Sequence, residues 1–177
     1  MSATGERLVK ASDRLYDRMR HPAAHAAARG DATAKGFEEL HGAKYCLLVT
    51  YRRSGEPVPT PVWFGLDAEE RLYVRTEAAA AKVKRIRANP RVCVAPANVR
   101  GKPSGPMAEG TARVLGPEEA QSAERTLGAN YGLGRRLYKR VFGKTGVALA
   151  YLEVTPTGAH VTRDPSEAEE EATSEPR

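Results

Sequence analysis

Proline occupies every second position of Pro57-Val58-Pro59-Thr60-Pro61, and Val62-Trp63 follows directly. Successive backbone N–H groups of a β-strand point to opposite sides, so three prolines spaced by two remove donors from one side only. A strand here donates to a single neighbour, through Val58, Thr60 and Val62. Its other side is an edge, a bulge or a place where a ligand approaches.

The surrounding pattern supplies the partners of that strand. Residues 44–51 read as a buried strand, and Arg53-Ser54-Gly55 makes a hairpin turn into the proline strand. Further strands are expected at 71–76, 91–95, 107–115 and 146–155, with His160 and Val161 as a possible extension of the last. A short helix is expected at 79–88, with Val83 and Ile86 inward and Lys82, Lys84, Arg85 and Arg87 outward. Pro117 followed by two glutamates signals a helix start for 117–127. Hairpin-sized gaps favour antiparallel pairing. The expected fold is mainly β: a small barrel of six to seven mostly antiparallel strands with two to three inserted helices. A parallel dinucleotide-binding sheet fits poorly, because no Gly-x-Gly-x-x-Gly follows a strand.

The ends differ from this middle. Residues 6–20 carry a charged helical pattern that stops near His21-Pro22, since the residue before proline is pushed out of the α region. Residues 22–36 are rich in Ala, Gly and Asp and read as a mobile linker or a weakly held helix. The expected organisation is therefore 1–36 as N-terminal helix and linker, 37–163 as the barrel, and 164–177 as a disordered acidic tail. That tail has six carboxylates against Arg177, a net −5, which leaves +11 on the remainder of a chain whose formal charge is +6. A basic body suits an anionic ligand, nucleic acid, or simply solubility. Nucleic acid is disfavoured, because the few aromatics fall at strand-core positions rather than on a stacking platform.

No apolar run reaches the roughly 18–20 residues a membrane span requires. The N-terminus has no apolar leader, and the reading is cytoplasmic. Cys46 and Cys93 each lie in an apolar strand and read as buried free thiols, a disulfide being open to them only if those strands are neighbours. Neither they nor the four scattered histidines form a metal motif.

Nucleophilic catalysis is unsupported: no Gly-x-Ser-x-Gly is present, and neither cysteine has an evident base. Anion binding has better parts. Arg75-Thr76 ends a strand, four alanines follow, and Lys82 opens a helix. A phosphate requires helix-start N–H groups, hydroxyls and a close cation, and small residues leave room for it. The plainer reading is a solvated basic helix.

Four segments together resemble a known family: Thr60-Pro-Val-Trp-Phe, Arg71-Leu-Tyr-Val-Arg-Thr76, the run from Lys82 to Val92, and Glu109-Gly-Thr-Ala-Arg113. In this order and spacing they are similar to the flavin and deazaflavin oxidoreductases of the pyridoxamine 5′-phosphate oxidase-like split β-barrel superfamily. The nearest branch is the F420-dependent one of actinobacteria, and the similarity spans about residues 37–156. The resemblance implies a split-barrel homodimer with two cofactor sites at the subunit interface. It places Thr60, Pro61, Val62 and Trp63 along the tricyclic ring. It places the phosphate at Arg75, Thr76 and Lys82, continuing into Val83 and Lys84. The loop at 97–105 is expected near the site, from the partner subunit. Further basic residues of the oxidase correspond here to Thr60 and Gly65, and its substrate-binding C-terminus is not apparent, so pyridoxamine phosphate oxidation is not implied.

The implied activity is hydride transfer between coenzyme F420 and a small organic substrate, with no side-chain acid or base assigned. Arg135, Arg136, Lys139 and Arg140 form the positive face of a helical pattern and are candidates for binding the poly-γ-glutamate tail of F420. The alternatives are an FMN- or haem-binding split barrel and, from another class, a basic nucleic-acid-binding module.

Overall fold

The computed structural model describes residues 20–131 and 148–158. Seven strands form one antiparallel sheet: β1 Tyr45–Tyr51, β2 Pro57–Trp63, β3 Gly65–Leu66, β4 Leu72–Glu77, β5 Arg91–Ala97, β6 Ala108–Val114 and β7 Leu149–Pro156. Their order is β2-β1-β5-β6-β7-β4-β3, curled into a half-barrel. Three helices accompany it: α1 Pro22–Ala27, α2 Ala81–Ala88 and α3 Ala120–Tyr131. The expected barrel of mostly antiparallel strands with inserted helices is what forms. The expected helix at 6–20 and the acidic tail lie outside the described residues.

The proline strand stands at one end of the sheet, with β1 as its only strand neighbour among the described residues. Leu47 lies opposite Pro61, Val49 opposite Pro59 and Tyr51 opposite Pro57. Such pairs cannot exchange N–H bonds in both directions, so they are the non-bonded pairs of the ladder. The prolines thus face their donor-less nitrogens and their carbonyls away from β1. Along Pro57, Pro59 and Pro61 that outer edge offers acceptors only.

Alternation along β1 and β5 divides the core. Cys46, Leu48, Val92 and Val94 point to the concave side, where Phe64, Leu72, Val74, Val83 and Ile86 join them. Leu47, Val49, Cys93 and Ala95 point to the convex side, with Ala24 of α1. The two cysteines therefore occupy opposite faces of neighbouring strands, and both are buried free thiols.

The segment expected as linker or weak helix contains α1, which is closely packed. His21 caps it, its Nδ1 accepting from the Ala23 N–H at 3.1 Å, and Pro22 starts the first turn. Ala24 is fully buried. Leu47 and Val49 supply the large apolar surface here, so the helix has only to be small enough to approach it.

α3 packs over the other end of the sheet, where Ala123 and Leu127 meet Tyr73. Its backbone runs directly against β3: a Cβ on Gly65 would sit 2.7 Å from the Thr126 carbonyl oxygen and 2.8 Å from the Leu127 nitrogen. Only glycine fits this approach.

Candidate functional site

Lys82, in the first turn of α2, donates from Nζ to Thr76 Oγ1 at 3.1 Å. This pair faces the start of a helix whose N-cap, Ala80, provides no side-chain bond. An α-helix leaves its first N–H groups without intrahelical partners. Here an ammonium, a hydroxyl and an uncapped helix start converge, with the alanines at 78–81 beside them. Burial of Val83 and Ile86 fixes α2 against the sheet. Arg85 adds a tie from the same helix, its Nε donating to the fully buried Thr50 hydroxyl at 2.7 Å. Asn89-Pro90 ends the helix.

Arg75 lies elsewhere. Neighbouring residues of a strand point to opposite faces, and Arg75 turns toward α3. Its Nη1 donates to both oxygens of Glu124, at 3.3 and 3.4 Å. The two side chains are only 16% and 19% exposed. Tyr151, directly opposite Arg75 on β7, donates from its hydroxyl to Glu124 at 3.0 Å. Burial raises the Tyr151 phenol above its ordinary range, and the adjacent Glu124 carboxylate raises it further. Of the three residues grouped as a phosphate site, the structure brings Thr76 and Lys82 together and places Arg75 on the other side of β4.

The remaining candidates also separate. Val83 is a fully buried core side chain, so it could offer only its backbone, and Lys84 is exposed. On β2, Val62 points into the concave core. Pro61 and Trp63 share the other face, with the Trp63 ring 6.0 Å from that of Tyr45. The loop after β5 packs here within the same chain: a Cβ on Gly101 would lie 3.5 Å from Pro61 Cδ. Arg135, Arg136, Lys139 and Arg140 lie outside the described residues.

A second network on the α3 side escaped the sequence reading. Arg113 donates to Glu153 at 2.6 Å and to Glu119 at 2.7 and 3.0 Å. Tyr73 donates to the same Glu153 at 3.0 Å, and its hydroxyl also lies 3.2 Å from Asp67. Glu153 is 8% exposed, so these partners replace its water. The signal available in sequence is an acid within an apolar strand, Leu152-Glu153-Val154, whose partners are 40 and 80 residues away.

The family model described as pyridoxamine 5′-phosphate oxidase matches residues 32–162. No curated protein matches the chain by sequence. Solved structures share the fold at low identity. The haem storage protein HutZ from Vibrio cholerae has a TM-score of 0.52 at 14% identity, over 69% of this chain and 87% of that one. A 5-nitroimidazole antibiotic resistance protein (so described provisionally) from Bacteroides thetaiotaomicron has 0.50 at 15%, over 67% and 76%. A protein of unknown function from Agrobacterium tumefaciens has 0.50 at 18%, over 76% and 61%.

Proposed function

Because the chain belongs to the pyridoxamine 5′-phosphate oxidase family, we propose that it is an oxidoreductase that binds coenzyme F420 and transfers a hydride between it and a small organic molecule. The observation that carries this reading is the Thr76–Lys82 pair at the uncapped start of α2. Its donors match what a phosphate monoester or diester requires. The bound deazaflavin supplies the hydride chemistry.

The residues of the chain bind, orient and shield. Lys82, Thr76 and the first N–H groups of α2 hold the phosphate. Pro59 and Pro61, on the donor-free edge of β2, would present carbonyl acceptors to the ring system beside Trp63. Arg75 acts through position: its bonds to Glu124 brace β4 against α3 and keep Thr76 in place. A second copy of the chain completes the site along the β2 edge, which has no strand partner on that side among the described residues.

The same cradle would accept the phosphate of FMN, so the decisive experiment is a pair of titrations. Trp63 is the sole tryptophan, and quenching of its fluorescence reports binding at β2. F420 is expected to bind more tightly than FMN. Failure of both to bind below about 100 μM, an affinity of only about 5.5 kcal/mol, ends the oxidoreductase reading. Tighter FMN binding transfers it to a flavoprotein. A monomer under saturating cofactor, by sedimentation, removes the shared site.

A further inference from the structure

The β1–β2 hairpin and the C-terminal end of α2 enclose a groove of about 330 Å³, lined by Tyr51, Arg52, Arg53, Gly55, Ala88 and Asn89. Its charge is one-sided. Arg52 and Arg53 line it. Lys84 lies four residues before Ala88 and so shares its helix face. Arg91 sits 5.4 Å above the Tyr51 ring. Against Arg52, Arg53, Lys84 and Arg91 stand, among the described residues, two carboxylates, Glu56 at 3.1 Å from Arg52 and Glu109 at 2.6 Å from Arg91. Both ion pairs are exposed, and such pairs exchange partners at little cost. Among the described residues Arg53 and Lys84 have no counter-charge.

We propose that this groove is the docking site of the chain's own acidic segment, residues 164–177. Its six carboxylates complement the groove in sign. The topology brings them within reach. The Thr157 N–H donates to the Glu109 carbonyl at 3.0 Å. Glu109 lies opposite Cys93 on β5, and Cys93 lies opposite Val49 on β1, three residues before Arg52. Three strand spacings of about 4.8 Å and three residues of about 3.3 Å separate Thr157 from Arg52, about 17 Å in the plane of the sheet. The ten residues from Thr157 to Glu167 span up to about 33 Å. The chain leaves β7 antiparallel to β1, so it must turn back, and the surplus length permits that. Tethering makes the contact intramolecular, at an effective concentration on the order of millimolar. An anionic ligand entering the groove then has to displace the tail. This inference does not rest on the cofactor reading.

The test uses the full chain with a nitroxide spin label at Ser174→Cys, because Cys46 and Cys93 are buried. At low salt the amide signals of residues 52–55 are expected to lose most of their intensity. They are expected to recover in 0.5 M NaCl, where the Debye length falls to about 4 Å. The loss should also vanish in two variants: Arg52→Glu with Arg53→Glu, both exposed positions, and a tail with Glu167, Glu169, Glu170 and Glu171 changed to Gln. The neutralised tail should raise affinity for a free hexaglutamate peptide about tenfold, as expected when a tethered competitor is removed. Full intensity at 52–55 in low salt overturns the proposal. So does broadening centred on residues 135–140, broadening that survives both variants, or unchanged peptide affinity.

Discussion

Glu124 holds Arg75 on the side of β4 opposite the Thr76–Lys82 pair, at 3.3 Å. Two adjacent residues of one strand thus serve two different faces. One stabilises the packing of α3 on the sheet, and the other bonds Lys82 at the start of α2. The division predicts that substitutions at these neighbours separate folding from binding.

Lys82→Ala removes the ammonium from the cradle while leaving Val83 and Ile86 in the core. A hydrogen bond to a charged group contributes about 1.5–3 kcal/mol, so affinity for a phosphate-bearing cofactor should fall about ten- to hundredfold. F420 and FMN should lose equally, since the phosphate is common to both. Thermal stability should hardly change. Titrations showing unchanged affinity would remove Lys82 from the site.

Arg75→Ala should do the reverse. Glu124 is 19% exposed and would lose both bonds it accepts from Arg75. Leaving a largely buried carboxylate under-satisfied costs about 1–3 kcal/mol. Urea denaturation should show that loss, with a smaller fall in cofactor affinity than in Lys82→Ala. Paired Arg75→Ala and Glu124→Ala changes should be less than additive, because both break one contact. Additive losses would mean that the pair contributes nothing as a pair.

The β2 edge was legible because the period of a strand is rigid. Pro57, Pro59 and Pro61 share one side by backbone geometry alone, whatever surrounds them. The same rule, applied to Arg75-Thr76, sends neighbours to opposite faces, although resemblance groups them as one site. What sequence could not show was the partner that fixes each face. Glu124 is 49 residues from Arg75, and nothing local distinguishes it from a solvated helix acid. Segment 22–36 is instructive in the same way. Its alanines cannot form a core by themselves, but β1 supplies Leu47 and Val49, and small side chains then become the requirement. The proximity of Thr76 and Lys82 was readable because only six residues separate them.

Gly65 stands where the resemblance to the phosphate oxidases leads to the expectation of a basic residue. The position is filled by the backbone of α3, 2.7 Å from where a Cβ would lie. Gly65→Ala should destabilise by about 1–3 kcal/mol, as overpacking against backbone does, and Gly65→Arg by more. Neither should gain phosphate affinity. A Gly65→Arg protein as stable as the parent would show that α3 does not sit here in solution.

Alkaline pH should weaken the fold through its buried phenols and thiols. Burial is the largest cause raising Tyr73 and Tyr151 above the ordinary 10.0, and Cys46 and Cys93 above 9.0. Carboxylates add to the rise at the tyrosines: Glu153 at Tyr73 and Glu124 at Tyr151. An acid whose folded value is raised holds its proton more tightly in the folded state. Between the unfolded and folded values the unfolded chain binds fewer protons, and stability falls as pH rises. The contribution is fully present below about pH 9 and declines above it, as the unfolded thiols and then the unfolded phenols ionise. Urea midpoints measured from pH 8 to 11 should therefore fall progressively. Tyr73→Phe and Tyr151→Phe should flatten the fall while lowering stability at pH 8, because each removes a hydrogen bond to a carboxylate. A midpoint independent of pH across this range would show that these groups titrate alike in the folded and unfolded chain.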